Sequence, residues 1–244
     1  MTYCVALKTN AGMVFLSDTR TNAGVDNVSK YRKMFTWEVP GDRVITMMTS
    51  GNLSITQAVI SLLQENIDNP QDGIDTILNA DSMFRVAEIV GDAMRLIQNR
   101  YGSNISQMGE STISSIIVGG QRAGGEMRMF HIYSAGNFIE AGDDTPYFQI
   151  GEHKYGKPIL DRVINVDTPV NVCVTAALLS MDSTLRSNLS VGMPLDLSVI
   201  ERDALRFSQV RRIEDHDPNY LALSEAWSNS LRNAFNDMFQ YSVV

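Results

Sequence analysis

MTYCVALKTNAGMVFLSDTRTNAG, which occupies residues 1–24, contains two apolar runs separated by the turn-like residues 9–12. Asparagine near glycine between apolar runs predicts a β-hairpin, here with strands over residues 2–8 and 13–17. A loop of two residues and a loop of four residues give the same register. In either case Asp18 lies opposite Tyr3, and Thr19 lies opposite Thr2. The predicted hairpin therefore places Asp18 at its open end, beside residue 2.

The start of this hairpin carries a possible nucleophile. Removal of Met1, which the small second residue permits, would leave Thr2 with a hydroxyl and a free α-amine, a nucleophile and its base in one residue. Lys33 stands just before the apolar run MFTW and could reach back toward Asp18. Its ammonium would then lower the pKa of the α-amine from its usual value of roughly 7.7–8.0. The alternative is an N-terminal strand with a surface ion pair that contributes little to stability, and the spacing alone favours it.

A glycine follows the fourth predicted strand, which covers residues 43–49, and precedes a predicted helix. Backbone N–H groups point outward where a strand passes through a glycine into a helix N-terminus, and they can hold an oxyanion. Gly51 is therefore our candidate donor, although a glycine that only permits a tight turn explains the same residue. The candidate substrate-binding residues are Arg20, Thr21, Asn22 and Thr49. Of these, the Thr21-Asn22 stretch could align a peptide backbone as an added strand.

The composition excludes several classes of protein. The chain has 244 residues, of which 44% are hydrophobic, and suits one compact domain over residues 1–244. A formal net charge of −8 and a pI near 4.9 argue against nucleic acid as a partner, and no apolar run is long enough to span a membrane. Cys4 and Cys173 lie in apolar runs typical of a core, the three histidines are scattered, and we expect no metal site and no cofactor. The low cysteine count and the lack of a signal segment predict a cytoplasmic protein.

The order of the predicted elements indicates the fold class. Four strands, two helices, several strands, two helices, two strands and a last helix predict two antiparallel sheets packed face to face with helices outside both. This is an α+β fold, a four-layer αββα sandwich. Within it, residues 22–30 are expected to be a loop, and short strands over residues 138–140 and 146–150 are expected to complete the second set of strands. A helix over residues 170–179 is expected to end before the polar run that begins at Asp182.

The opening stretch, followed by KYRKMF at residues 30–35, resembles the start of a proteasome β-type subunit. More narrowly, it resembles the bacterial proteasome-like family called Anbu, for ancestral β subunit. The matching residues are Thr2 after a removable methionine, the pattern Asp18-x-Arg20-x-x-x-Gly24, and Lys33. The resemblance runs over the whole chain and implies the fold of the N-terminal nucleophile hydrolases. It also implies that Thr2, Asp18 and Lys33 form the catalytic cluster and that Gly51 binds the oxyanion.

A polar run in the second half of the chain matches the family in part. Proteasome subunits carry an aspartate followed by a serine at a helix end close to the nucleophile. Asp182 and Ser187 match this pattern with a two-residue insertion, and Ser183 and Thr184 compete for the place of the serine. Helix capping and turn chemistry explain the same run equally well.

The turn at residues 151–156 departs from the family pattern. Proteasome β subunits usually carry a serine there, beside the nucleophile, where it helps to orient the amine. The nearest position in this chain holds Glu152 or His153. Either the support comes from elsewhere, or one of these two residues has taken a different part. A surface turn with solvated charges is the simpler explanation for both.

By this resemblance the chain is a threonine-type endopeptidase subunit that acts in protein catabolism on peptides or unfolded proteins. Its subunits would assemble into a ring or open-ring homomultimer, and the sequence does not indicate whether an ATPase partner exists. One alternative is a non-catalytic scaffold subunit of the same fold, like the proteasome α-type subunits, although those usually lack the Thr/Asp/Lys set. A second alternative is an amidase acting on a small molecule, because fold does not fix the substrate.

Overall fold

The computed structural model describes residues 2–22 and 28–241. Within these ranges the chain forms two five-stranded sheets, a two-stranded ribbon and five α-helices. The strands are β1 (Tyr3–Lys8), β2 (Gly12–Asp18), β3 (Arg20–Asn22), β4 (Val28–Lys30), β5 (Met34–Val39), β6 (Arg43–Gly51), β7 (Ser114–Arg122), β8 (Arg128–Ile132), β9 (Phe138–Glu140), β10 (Tyr147–Gly151), β11 (Leu195–Glu201) and β12 (Gln209–Ile213). The helices are α1 (Leu53–Asp68), α2 (Met83–Gln107), α3 (Lys157–Val163), α4 (Val170–Ser187) and α5 (Pro218–Asp237), with a 3₁₀ turn over Met238–Tyr241.

The first sheet is built around the opening hairpin. Its strand order is β10-β1-β2-β11-β12, and every neighbouring pair is antiparallel. The predicted register is confirmed, since Cys4 pairs with Ser17 and the Thr9 N–H donates to the Gly12 carbonyl at 2.9 Å. The end of β2 therefore lies beside the start of β1, as the loop length predicts.

The second sheet has the order β5-β6-β7-β8-β9 and is also antiparallel. The prediction that β10 belongs to this set is wrong, because β10 pairs with β1, with Tyr3 opposite Gly151. Phe148 and Ile150 of β10 lie in the core between the two sheets. Alternating apolar residues suit an edge of either sheet, so the sequence around β10 does not specify its partner.

The expected loop over residues 22–30 contains a further strand. Residues Val28–Lys30 form β4 and pair with β3 in the two-stranded ribbon, so the prediction of a continuous loop is wrong there. Residues 23–27, which include Gly24 of the family pattern, lie outside the described ranges.

The apolar character of β1 follows from burial on both of its faces. Tyr3, Val5 and Leu7 pack into a core with α3, α4 and α5, whereas Cys4 and Ala6 face residues of the second sheet. This alternation is the two-residue period of a strand. A third core joins α1 and α2 to β6, β7 and β8. The architecture is therefore mixed α and β, with antiparallel sheets. None of the helices in the described ranges combines the length and the apolar character needed to cross a membrane.

Helix α4 is longer than expected. It continues to Ser187 and does not end near residue 179, so the polar run lies inside the helix rather than after it. Two local contacts lie within this helical run. The Thr184 hydroxyl donates to the Ser180 carbonyl one turn earlier at 2.9 Å, and Arg186 pairs with Asp182 at 3.1 Å with i,i+4 spacing. The prediction that Asp182 stands at a helix end is therefore wrong.

Candidate active site

Five of the residues predicted from the sequence meet in one cavity of about 1210 Å³. Thr2, Thr21, Lys33, Thr49 and Gly51 all line it. Residues that the sequence reasoning missed complete its walls, among them Ser50, Asn52, Leu53, Ile105, Met108, Glu110 and Ile113. The segment after α2 supplies several of these, and nothing in its own sequence indicates that it lies beside residue 2.

Asp18 and Lys33 form a buried ion pair beneath this cavity. The Lys33 ammonium lies 2.7 Å from Asp18 Oδ1, and the side chains of Lys33 and Asp18 are 4% and 0% exposed. The alternative of a surface ion pair is therefore wrong. Asp18 also accepts the Tyr3 N–H at 3.1 Å and the Gly192 N–H at 3.2 Å, and the Lys33 ammonium also donates to the Arg20 carbonyl. These contacts fix both charged groups at the end of the hairpin.

The electrostatic balance at Asp18 depends on Lys33. Burial raises the pKa of the Asp18 carboxyl above its usual value, whereas Lys33 and the two backbone N–H groups act in the opposite direction. Each partner of such a pair compensates the desolvation of the other, so removing one leaves a buried charge uncompensated.

Thr2 is held by the end of β10. It is only 8% exposed, and its carbonyl accepts the Glu152 N–H at 2.7 Å. Gly151 makes this approach possible, because its φ is +83° and a Cβ there would overlap the Thr2 carbonyl. The glycine thus fixes the distance between the nucleophile candidate and the turn that follows β10.

We expect Gly151→Ala to be much more damaging than Gly41→Ala. Gly41 has a φ of +74°, but no atom lies within 4 Å of the place that an alanine methyl group would take, so its substitution carries only backbone strain of about 1–2 kcal/mol. Gly151→Ala carries the same strain and also displaces Thr2. Urea denaturation should show a larger loss of unfolding free energy for Gly151→Ala than for Gly41→Ala. Equal losses in the two variants would contradict the role given to Gly151.

Gly51 ends β6 with a φ of +101°, and Asn52 then caps α1 by accepting the Ile55 N–H at 3.2 Å. A Cβ at Gly51 would overlap the Ile113 carbonyl, so the residue does permit a tight turn. It also lines the same cavity as Thr2. The two interpretations of Gly51 are compatible, and its N–H remains the candidate oxyanion donor.

The remaining substrate-binding candidates divide into two groups. Thr21 and Thr49 line the cavity. The Arg20 guanidinium instead donates to the Leu189 carbonyl at 2.9 Å and packs against Gly192, away from the cavity wall. Asn22 pairs with Val28 in the ribbon, and its side chain lies outside the described part of the structure.

Asp182 and Ser187 do not line the cavity. Asp182 is buried between α4 and α5, where it accepts the Tyr220 hydroxyl at 3.4 Å and the Arg186 guanidinium at 3.1 Å. Ser187 is exposed at the last position of α4. Of the competing hydroxyls, that of Thr184 is bonded within the helix. The contacts of Asp182 therefore connect two helices.

A buried polar network next to Thr2 escaped the sequence reasoning. The Tyr3 hydroxyl contacts the Ser180 hydroxyl and accepts from the Gln149 amide at 2.6 Å. Gly156 packs so closely on this pair that a Cβ would overlap both hydroxyls. Burial raises the pKa of the Tyr3 phenol, so it stays protonated and can donate. The network links β1, β10 and α4 directly behind the nucleophile candidate.

The described ranges contain no group of three or more His, Cys, Asp or Glu side chains placed to hold a metal ion. Cys4 and Cys173 are buried free thiols. The residues that line the cavity supply hydroxyls, an ammonium, backbone N–H groups and carboxylates.

Solved structures similar to this chain include a set of proteasome relatives. The Anbu (Gly-1) mutant from Hyphomicrobium sp. strain MC1 is 48% identical, with 97% of each chain covered and a TM-score of 0.89. Anbu (ancestral beta-subunit) from Yersinia bercovieri is 43% identical, with 96% of each chain covered and a TM-score of 0.90. The chain belongs to the Anbu family. A structure of the helical assembly of the Anbu complex from Pseudomonas aeruginosa is 44% identical, with 96% of each chain covered and a TM-score of 0.91.

Membership in the Anbu family confirms the resemblance inferred from the first 35 residues. It identifies the chain as homologous to a proteasome-like bacterial subunit. No protein-family model and no curated protein matches the chain.

Proposed function

We propose that this Anbu chain is a threonine endopeptidase subunit whose nucleophile is Thr2, exposed by removal of Met1. The observation that carries the proposal is the buried Asp18–Lys33 pair, 2.7 Å long, at the base of the cavity that Thr2 lines. Buried ion pairs are costly to build, and one at the base of a cavity marks a candidate functional site.

In the proposed reaction the Thr2 hydroxyl attacks a peptide carbonyl, and the Thr2 α-amine takes the hydroxyl proton, directly or through a water. The Gly51 N–H stabilises the oxyanion, and Lys33, held by Asp18, stabilises the negative charge that develops at the Thr2 oxygen. The C–N bond then breaks, and the leaving amine takes the proton from the α-ammonium. This leaves an ester between Thr2 and the acyl part of the substrate, which water hydrolyses.

The same ion pair prepares the base. A cation close to the α-amine lowers its pKa, so that a larger fraction is neutral and able to accept a proton near pH 7. Thr21 and Thr49, which line the cavity, are the residues proposed to contact the substrate, with Thr21 pairing to its backbone as an added strand.

We further propose that residues 1–244 form one peptidase domain with four layers in the order α, β, β, α. The three apolar cores support this order, because one lies between the two sheets and each of the others joins one sheet to its own helices.

We also propose that the subunit acts in a homomultimer. The relative from Pseudomonas aeruginosa is described as a helical assembly of the Anbu complex. In this chain the end of α5 and the 3₁₀ turn expose Leu231, Phe235, Met238 and Phe239, each between 50% and 69% exposed. The Phe235 and Phe239 rings contact each other, with 5.2 Å between their centroids. An exposed apolar patch of this kind supports contact with a second copy.

Intact mass spectrometry tests the proposed function. The purified protein is incubated with a peptide epoxyketone, which requires both a hydroxyl and a free α-amine on the same residue. We expect loss of Met1 and one adduct, located on Thr2 by peptide mapping. Treatment with an aminopeptidase should restore labelling in any fraction that retains Met1.

The same experiment separates the alternatives. A chain with a free Thr2 amine and no adduct at any probe concentration would favour the scaffold subunit. Labelling by a small β-lactone without labelling or hydrolysis of any peptide would favour the amidase.

A further inference from the structure

Glu152 stands directly across from Thr2. Tyr3 pairs with Gly151, and the Glu152 N–H donates to the Thr2 carbonyl at 2.7 Å, which extends the pairing by one residue. Gly151 ends β10 with a φ of +83°, so regular strand geometry does not continue into Glu152, and the backbone hydrogen bond is what holds Glu152 at Thr2. Both residues line the same cavity. Glu152 therefore neighbours the nucleophile candidate in the wall of this cavity.

The Glu152 carboxylate is not engaged by another group of the described residues. It is half-buried, and it makes no hydrogen bond or ion pair with any residue in the ranges 2–22 and 28–241. The other carboxylate beneath the cavity, Asp18, is already bonded to Lys33 and to two backbone N–H groups. A carboxylate that is not engaged elsewhere can form a charge-assisted hydrogen bond with a cation that develops beside it.

The ionisable groups of the residues next to Thr2 and Glu152 are already engaged in other contacts. Tyr3 is bonded to Gln149 and Ser180, and the Cys4 thiol is buried against the Thr49 carbonyl. His153 turns back to the Gly151 carbonyl. Glu110, which also lines the cavity, is exposed in the segment after α2.

We propose that Glu152 is a positioning residue for the Thr2 α-amine, a role that rests on the proposed function. When the amine accepts the Thr2 hydroxyl proton it becomes an ammonium, and Glu152 stabilises that cation and orients the amine toward the hydroxyl. Glu152 itself takes no proton. Lys33 repels the ammonium and Glu152 attracts it, so the two together set the protonation equilibrium of the amine.

The test is a direct titration of this amine, which does not depend on catalysis. Protein with Thr2 at its N-terminus, treated with an aminopeptidase where Met1 remains, is carbamylated with cyanate over a range of pH. The modified N-terminal peptide is then quantified by mass spectrometry. We expect Glu152→Gln to lower the measured pKa of the α-amine by on the order of one unit. Glu152→Asp should retain most of the original pKa.

Glu110→Gln is the matched control, because it removes the same charge from an exposed residue that lines the same cavity. It should shift the amine pKa much less than Glu152→Gln. An unchanged pKa in Glu152→Gln, or an equal shift in Glu110→Gln, would overturn the proposal.

Epoxyketone labelling of the same samples keeps the two proposals separate. A shifted amine pKa without labelling of the wild type would support the role of Glu152 and contradict the peptidase. Labelling of the wild type with no shift would leave the peptidase standing and remove Glu152 from its mechanism. If the wild type is labelled and the amine pKa shifts, labelling of Glu152→Gln should begin at a lower pH than labelling of the wild type, because the neutral amine forms at a lower pH.

Discussion

Thr2→Ala is expected to abolish peptide hydrolysis and epoxyketone labelling while the fold stays intact. The hydroxyl is the only proposed nucleophile, and loss of a nucleophile typically lowers the rate on the order of 10⁴-fold or more. The α-amine, the Asp18–Lys33 pair and Gly51 all remain, so any residual rate reports what they achieve without covalent catalysis. Initial rates with fluorogenic peptides, together with intact mass, measure the effect.

Two control variants accompany this measurement. Thr2→Ser retains both the hydroxyl and the α-amine and should keep a substantial part of the activity. Thr175→Ala removes an exposed hydroxyl that is bonded only within α4, and it should change nothing. Thermal unfolding should be similar in all of them. Full activity in Thr2→Ala against any substrate that the wild type cleaves would contradict the proposed mechanism.

The placement of Asp18 beside Thr2 could be predicted from the sequence because it depends on one tight loop. Once the two-residue turn at Asn10 is recognised, the strand period fixes every pair along the hairpin, down to Cys4 and Ser17. A contact between Lys33 and Asp18 could also be proposed, because Lys33 stands just before the apolar run that forms β5. Local rules therefore placed the two residues near each other, whereas the spacing alone favoured a surface pair and the buried cluster was implied by the family resemblance.

The surroundings of the cluster could not be predicted in this way. The Gly192 N–H that Asp18 accepts is 174 residues away in the chain, and Ser180 is 177 residues from Tyr3. These contacts depend on how α4 and β11 pack against the hairpin, which no local pattern encodes. The same holds for β10, whose apolar alternation suits either sheet, and for Glu110, which reaches the cavity only because β7 pairs with β6.

The prediction of where α4 ends was wrong for a different reason. Ser, Thr, Asp and Asn clusters are typical of helix caps, and residues 182–188 contain several of them. Burial of Met181, Asp182 and Thr184 against neighbouring elements continued the helix for two more turns. Tertiary packing thus overrode the local preference for a helix cap, and it placed Asp182 in contact with α5.

The second prediction with a large effect concerns the ion pair itself. Lys33→Met should lower the rate of Thr2 labelling on the order of 10³-fold, because it removes the cation that stabilises the developing charge. It should also lower the free energy of unfolding by about 3–5 kcal/mol, because the Asp18 carboxylate, whose side chain is 0% exposed, loses its ammonium partner. Both effects are measured on one preparation, by probe kinetics and by urea denaturation.

The pH dependence of that instability has a definite sign. Burial already raises the pKa of Asp18, and removing Lys33 removes the main opposing effect. In Lys33→Met the folded state therefore holds a proton on Asp18 at a pH where the unfolded chain, with a pKa near 3.9, has released it. The variant should be closest to the wild type in stability at acidic pH and should lose stability as the pH rises above about 4.

Combining Lys33→Met with Asp18→Asn separates structure from catalysis. Each single variant leaves one buried group uncompensated, whereas the double variant buries a neutral amide beside a thioether, so its stability should recover toward that of the wild type. Its reactivity should stay as low as that of Lys33→Met, because the cation is still absent. If the double variant regained labelling along with stability, Lys33 would act only by holding the fold together, and the charge stabilisation proposed for it would be wrong.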